Sequence, residues 1–326
     1  MSADYPSMTT AEIRSKFLNF FEERGLKLYP SSSLVPDDPS LLLANAGMNQ
    51  FKEYYQGKKT MKEIGAISCQ KCVRTNDIDC IGEDGRHLSF FEMLGDFSFG
   101  GVSKQQACAW AFELITKEFK LPLDRLYFTV FTEDDETHDV WRSLALPRTT
   151  SPAWARTTTS GPPAPPALRS VLRDLLDMGE EVGCGSPDCK PGCDCDRFLE
   201  FWNLVFTQYD RQEDGSMPEL PHRNLDTGMG LERMAAIMQH KTANYDGDLM
   251  QHLIKLGEEI SGKIYDADDY SGASRSLRII ADHSRAVDFM ISDASCPVTR
   301  VASTSFAACS VVPCSTAACW ASRVPS

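Results

Sequence analysis

A chain of 326 residues, 42% hydrophobic and 24% charged, is long enough for two domains or for one large domain with an appendage. No run of about 18 apolar residues occurs, which excludes a membrane-spanning segment, and the first residues lack the basic region and apolar run of a secretory signal. We therefore expect a cytoplasmic protein whose 12 cysteines are reduced. The net charge of −13 argues against a protein that coats nucleic acid, although it is compatible with a local basic groove.

The N-terminal part of the chain predicts a helix followed by irregular structure. Thr9 and Glu12 form a capping box, apolar residues follow at helical spacing, and Gly25 ends the segment. Residues 34–35 and 41–43 are short apolar segments separated by two prolines. This pattern predicts a turn at the first segment and a short strand at the second.

Strands come before helices along most of the remaining chain. The aromatic and β-branched stretches predict strands at residues 90–95, 127–131 and 198–209. Helical spacing predicts helices at residues 104–119, 228–239 (after a glycine-rich turn), 249–261 and 277–291. Because no regular βαβ alternation is present, we expect an α+β catalytic domain followed by a helical one.

Two segments differ in composition from the rest of the chain. Residues 145–176 contain six prolines and a single acid, Asp174. Residues 294–326 contain no Asp, Glu or Lys but four cysteines. A proline-rich linker and a disordered tail are the simplest interpretations, but cysteine and tryptophan in the tail do not favour disorder.

The first candidate site surrounds Arg74, which follows a predicted strand and precedes a loop that ends at Arg86. The returning strand begins with Phe90 and Phe91. This arrangement predicts an ATP cradle, because a guanidinium group can hold a phosphate bidentately and a ring can stack on adenine. A surface ion pair for Arg74 and core packing for the two rings are the alternatives.

A second candidate site lies in the motif Asp226-Thr-Gly228-Met-Gly230-Leu-Glu-Arg233. Two glycines let the backbone approach a ligand closely, and the following helix would direct its dipole and Arg233 into the site. The alternative is an ordinary helix N-terminus capped by Asp226 or the threonine that follows it.

A third cluster contains four cysteines within twelve residues. Cys184, Cys189, Cys193 and Cys195 lie in a stretch rich in Gly, Pro and Asp. Four thiolates can complete a tetrahedral structural zinc site, although the paired Cys-x2-Cys spacing of common zinc ribbons is absent. A loop of reduced cysteines is the alternative.

Together these motifs resemble the class II aminoacyl-tRNA synthetases, and within them the alanyl-tRNA synthetase family. The resemblance runs from about residue 9 to 144 and from 177 to 293. Within these ranges, the segments at 30–36, 45–51 and 200–206 also resemble family motifs. It implies an antiparallel sheet flanked by helices. It further implies a catalytic domain at residues 1–245 and the start of a helical tRNA-recognition domain at 246–293.

The family resemblance implies ATP-dependent activation of alanine to alanyl-adenylate and transfer to tRNA(Ala), with ATP, alanine and tRNA(Ala) as partners and no membrane. Arg74 would stabilise the α-phosphate, Phe90 or Phe91 would stack on adenine, and Arg233 would clamp the nucleotide or reach the γ-phosphate. Mg²⁺ is expected with the triphosphate. The implied ATP-binding residues are Arg74, Arg86, Phe90, Phe91, Glu92, Met93, Gly228, Gly230 and Arg233, with Arg74 and Arg233 catalytic. The implied alanine-binding residues are Asn203, Val205, Asp226 and Gly228.

We hypothesise that residues 145–176 and 294–326 are family sequence read in a shifted frame. With synonymous codons chosen to suit, a shifted reading of the first segment can end in G-P-C-G-P-C-S-E-I-Y-Y immediately before Asp177. The chain as written would then lack one wall of the alanine pocket and the basic residues after Asp293, which should leave the helix at 277–291 poorly anchored. A non-catalytic remnant that binds ATP or RNA is the alternative function.

Overall fold

The computed structural model describes residues 5–38, 41–131, 134–145, 155–157, 169–193, 195–209, 216 and 218–293. The frame-shift hypothesis falls largely on residues outside this description, namely 146–154, 158–168 and all of 294–326.

Eight strands form one sheet in the described part of the chain. The strands are β1 Lys27–Leu28, β2 Ala66–Val73, β3 Phe90–Phe99, β4 Leu126–Phe131, β5 Ala155–Thr157, β6 Arg169–Asp177, β7 Phe198–Tyr209 and β8 Glu219–Gly230. Their order is β1-β2-β3-β8-β7-β6-β4-β5. The pairs β1/β2 and β4/β5 at the two edges are parallel and every other pair is antiparallel, which confirms the antiparallel α+β prediction.

The helices predicted from the sequence are present, whereas those at 52–55 and 135–145 were not predicted. In the described residues the helices are α1 Thr10–Glu22, α2 Lys52–Tyr55, α3 Lys104–Glu113 (continued by a π-helical turn, Leu114–Glu118), α4 Asp135–Ala145, α5 Leu231–Met238, α6 Asp248–Ser261 and α7 Gly272–Asp293. The capping box is present, because Thr9 Oγ1 accepts from the amide of Glu12 while Glu12 Oε2 accepts from the amide of Thr9.

The two faces of the sheet have different environments. One, the core face, carries residues such as Leu94, Leu204 and Met229 and packs against α1, α3 and α5 in the main hydrophobic core. The other, the open face, carries Met93 and Gly228. Because side chains alternate along a strand, neighbouring residues of β3 and β8 face opposite environments.

The carboxyl group of Asp174 lies in the core without a partner among the described residues. Asp174 in β6 has 0% exposure, and its register partners on the adjacent strands are Phe128 and Trp202. Neither carboxyl oxygen has a hydrogen-bond partner among the described residues. Burial raises the pKa of Asp174 well above its usual range, and the negative charge of Glu200 raises it further.

Two local expectations from the sequence are wrong. Residues 41–43 are bends and irregular chain, not a strand. The glycines Gly228 and Gly230 belong to β8, which passes directly into α5 without the expected glycine-rich turn. The helix therefore begins at Leu231, with no side-chain cap at Gly230.

The expectation that the helix at 277–291 is poorly anchored is also wrong. This helix, α7, packs against β3, where Phe289 stacks on Phe90 with a centroid distance of 4.6 Å. Asp282 accepts hydrogen bonds from the amide and hydroxyl of Ser89. Buried Arg285 pairs with buried Glu232 of α5 at 2.5 Å. Helix α7 thus supplies its own buried polar contacts to the sheet.

Candidate functional site

Arg74 lies at the mouth of a cleft, immediately after β2 ends. The backbone pairing of β2 with β3 continues through this residue, because its amide donates to the carbonyl of Ser89. Its Nε donates to the carbonyl oxygen of Asn45 at 3.1 Å, and its guanidinium carbon lies 5.0 Å from the centre of the Phe91 ring. The exposed guanidinium is therefore oriented by a carbonyl and an aromatic face.

The pleat of β3 separates the residues that the sequence grouped together. Phe91 and Met93 line the cleft. Phe90 is fully buried on the opposite side under Phe289, and Glu92 accepts hydrogen bonds there from Arg14 at 2.8–3.1 Å. Of the two candidate rings, Phe91 is the one positioned to meet a ligand, and Glu92 acts in an ion pair outside the cleft.

The end of β8 forms a floor without side chains. A Cβ atom at Gly228 would lie 3.0 Å from the sulfur of Met93, and a side chain at Gly230 would extend beside Arg233. Arg233 projects from the first turn of α5 and donates through Nη1 to the carbonyl of Glu200 at 2.8 Å. Burial lowers the pKa of the Arg233 guanidinium, yet an arginine stays charged at neutral pH. A ligand on this floor can therefore reach both the backbone of β8 and the guanidinium group of Arg233.

Arg86 reaches the cleft from the loop between β2 and β3. Asp84 shapes this loop by accepting the amides of Arg86 and His87 at 2.8 and 2.9 Å. One guanidinium nitrogen of Arg86 pairs with Asp196 at 2.6 Å. Its Nε is buried and has no hydrogen-bond partner among the described residues, so it retains a donor for a ligand.

A polar cluster on β6 and β7 closes the other side of the cleft. Glu200 accepts from Asn203 at 2.8 Å and pairs with Arg173 at 2.9 Å. Strict alternation would place Glu200 and Asn203 on opposite faces. The register between β6 and β7 shifts at this point and skips Phe201, which brings both side chains to the open face. The sequence prediction missed Glu200, and its only signal was the single acid in a mostly apolar strand.

The remaining predicted alanine-binding residues lie beside the cleft lining. Val205 pairs in register with Asp226, and Asn203 with Gly228. Side chains two residues apart in a strand point to the same face of the sheet, so Asp226 lies on the open face next to Gly228. Thr227, between them, faces the core, where its hydroxyl donates to buried Asp96 at 2.5 Å. The structure thus brings these predicted residues to one region of the sheet.

The cleft combines three arginines with a polar end. Its cavity volume is about 170 Å³. The arginines Arg74, Arg86 and Arg233 line it together with Phe91 and Met93, and the carboxylates in the lining are Asp77, Glu200 and Glu232. Three guanidinium groups provide bidentate donors for a polyphosphate, and the Glu200 cluster provides acceptors for a cationic or hydrogen-bonding group.

The four cysteines come together outside this cleft. The sulfur atoms of Cys184, Cys189, Cys193 and Cys195 all lie within 4.8 Å of one another in the loop between β6 and β7. All four are free cysteines.

A family model of class II (A) tRNA synthetases matches residues 12–302, most of the chain. The chain belongs to the class II tRNA synthetases. Among similar proteins, the alanine–tRNA ligase of Endomicrobium trichonymphae is 46% identical over 88% of this synthetase chain. That of Desulfitobacterium hafniense (strain Y51) is 46% identical over 87%. The chain spans about a third of the length of these relatives, 32% in both cases.

Solved synthetase structures also align with this chain. The pyrrolysyl-tRNA synthetase of Desulfitobacterium hafniense has a TM-score of 0.42 and 10% identity over 76% of this chain and 74% of its own. The histidyl-tRNA synthetase of S. aureus has a TM-score of 0.42 and 11% identity over 73% and 68%. No helix in the described ranges combines the length and the apolar character needed to cross a membrane.

Proposed function

We propose that this synthetase domain activates alanine with ATP and that the whole protein transfers the alanyl group to tRNA(Ala). The observation that carries the proposal is the convergence of Arg74, Arg86 and Arg233 over a floor formed by Gly228 and Gly230. The proposal is supported by the alanine–tRNA ligases that match most of this chain.

The arginines are suited to phosphoryl chemistry that needs no proton transfer. The carboxylate of alanine attacks the α-phosphorus of ATP, a bond forms between them, and the bond to the pyrophosphate oxygen breaks. Arg74 would stabilise charge at the α-phosphate, while Arg86 and Arg233 would hold the β- and γ-phosphates. Phe91, next to Arg74, would stack on adenine. In the second step, a tRNA hydroxyl attacks the alanyl carbonyl, the bond from the carbonyl carbon to the phosphate oxygen breaks, and AMP leaves with its phosphate taking the hydroxyl proton.

The polar end of the cleft would bind the amino acid. Asp226 would accept the α-ammonium group, and Asn203 and Val205 would define the space for a small side chain. The side-chain oxygen Oδ1 of Asn203 is buried and has no hydrogen-bond partner among the described residues, so an acceptor remains for the substrate. Glu200, tied to Asn203, would fix the orientation of that amide.

The proposed cofactors are Mg²⁺ in the cleft and a zinc ion outside it. Mg²⁺ neutralises phosphate charge when it is bound, and it keeps most of its ligands as phosphate oxygens and water. The residues fit this mode, because Glu200 and Glu232 are engaged by Arg173 and Arg285 and Asp77 is the remaining carboxylate of the lining. A structural zinc ion at the four cysteines belongs to the same proposed set and takes no part in the reaction.

The organisation of the chain is part of the proposal. Residues 1–245 would form the adenylate-forming unit and residues 246–293 the start of the tRNA-recognition helices, in a cytoplasmic protein. The segments 145–176 and 294–326 would be out of frame. Asp174 supports this, because a carboxyl group without a hydrogen-bond partner among the described residues is unusual at a fully buried strand position.

The test is alanine-dependent ATP–pyrophosphate exchange by protein with both segments restored to frame. Asp226→Ala should raise the KM for alanine much more than the KM for ATP. Arg86→Ala should do the reverse, because its guanidinium lies among the nucleotide-binding arginines. Equal effects of both changes on both substrates would contradict the assignment of the two ends of the cleft.

A further inference from the structure

The four-cysteine loop has the geometry of a metal site. The sulfur atoms of Cys184 and Cys193 are 3.7 Å apart, and those of Cys189 and Cys195 are 3.5 Å apart. Four sulfurs at about 2.3 Å from a central zinc ion would be separated by about 3.8 Å. Disulfide-bonded sulfurs would lie about 2.05 Å apart. The spacing therefore matches four thiolates around one ion better than two disulfides.

The loop has little else to hold its conformation. Two short turns, in which the amide of Cys189 bonds to the carbonyl of Ser186 and that of Cys193 to the carbonyl of Lys190, each present one cysteine. Gly185 and Gly192 adopt positive φ angles of 70° and 94°, so the chain reverses sharply twice. The residues of this stretch are exposed or half-buried, and no apolar core lies beneath them in the described part of the loop. A bound metal ion would stabilise the conformation of this loop, which no apolar core supports in its described part.

The loop ends at the ATP cleft. The residue after Cys195 is Asp196, which pairs with Arg86 at 2.6 Å. Arg197 then joins β6 through two hydrogen bonds to Asp177, at 3.1 and 3.0 Å. The Asp196 side chain is 60% exposed, and such an ion pair is weak unless the backbone holds its carboxylate in place.

We propose that Cys184, Cys189, Cys193 and Cys195 bind one zinc ion, and that this ion holds Asp196 where it orients Arg86 in the cleft. Four sulfur ligands in a tetrahedral arrangement select zinc over calcium, magnesium or manganese. The ion lies outside the reaction and acts through position alone. The second half of the proposal rests on the proposed function, and the first half does not.

Metal content tests the first half independently of activity. The purified protein and a Cys80→Ser control, which changes an exposed cysteine outside the cluster, should each contain about one zinc per chain. The double variant Cys189→Ser/Cys193→Ser should contain less than about one tenth of that. Cobalt exchanged into the protein should show the absorption of a tetrahedral thiolate site. Metal-free protein with four reactive thiols, two disulfides in the loop, or iron in place of zinc would each overturn the zinc site.

Nucleotide affinity tests the second half. Chelation of zinc from the frame-restored protein should raise the KM for ATP by about 3- to 10-fold and leave the KM for alanine unchanged, and zinc should restore it. Asp196→Asn, which keeps the cysteines and the metal, should raise the KM for ATP equally, and chelation should add nothing further. An unchanged KM for ATP after zinc loss would overturn the positioning role. Zinc binding without any exchange activity would contradict the proposed function and leave the metal site intact.

Discussion

Replacing Asp174 by isoleucine should stabilise the fold. Asp174 shares the core face of β6 with Leu172 and Leu176, both 0% exposed, and lies between Phe128 and Trp202 on the adjacent strands. A buried carboxyl group without a partner costs about 1–3 kcal/mol.

The isoleucine side chain contributes a gain of its own. Its burial provides about 1.5–3 kcal/mol, and an imperfect fit of its larger volume subtracts about 1–3 kcal/mol. The net expectation is an increase of about 2 kcal/mol in the free energy of unfolding. Asp174→Asn, which removes the charge and keeps the polarity, should recover less than half of this gain.

Urea denaturation at pH 7, followed by circular dichroism, measures the effect. Asp139→Ile is the matched control, because the side chain of Asp139 is 77% exposed and its replacement should change stability by less than about 0.5 kcal/mol. If Asp174→Ile lowers the midpoint and Asp174→Asn leaves it unchanged, then the carboxyl group is satisfied in solution and the account of this core position is refuted.

Three further changes probe the rest of the fold. Burial raises the pKa of Asp96 to about 7, above the usual 3.8, so the folded state binds this proton more tightly than the unfolded state. The contribution of Asp96 to stability should therefore fall by up to about 4 kcal/mol as pH rises from 4 to 7, and the difference between wild type and Asp96→Asn in urea titrations should follow that trend. Arg285→Ala strands the buried carboxylate of Glu232 and should cost about 3–5 kcal/mol, whereas loss of both charges in Arg285→Met/Glu232→Gln should cost less. Thr9→Ala removes the cap of α1 and should lower the free energy of unfolding by about 1 kcal/mol, measured by the same denaturation.

The sequence predicted the elements whose signal is local. The α1 cap, the strand at 198–209 and the helices at 104–119 and 249–261 were confirmed, because capping residues, β-branched runs and apolar periodicity act within a few residues. The cleft arginines Arg74 and Arg233 also came from local motifs, each at the end of a strand or the start of a helix.

The features that the sequence did not predict depend on contacts between residues that are far apart in the sequence. Which of Phe90 and Phe91 lines the cleft depends on the side of the sheet that α7 covers, and no local pattern determines that. Glu200 reaches the open face only because the register with β6 shifts beside it. The strong anchoring of α7 comes from buried contacts with Ser89 and Glu232, residues far away in sequence.

The most direct test of the central claim is alanine-dependent ATP–pyrophosphate exchange with and without Arg74. In the frame-restored protein, Arg74→Ala should lower the exchange rate by about 100-fold or more, because the charge developing at the α-phosphate loses its donor. Arg223→Ala, which changes an exposed arginine paired with Glu136 outside the cleft, should leave the rate unchanged. The chain as it stands should show weak exchange or none. Exchange that survives Arg74→Ala nearly intact would contradict the account.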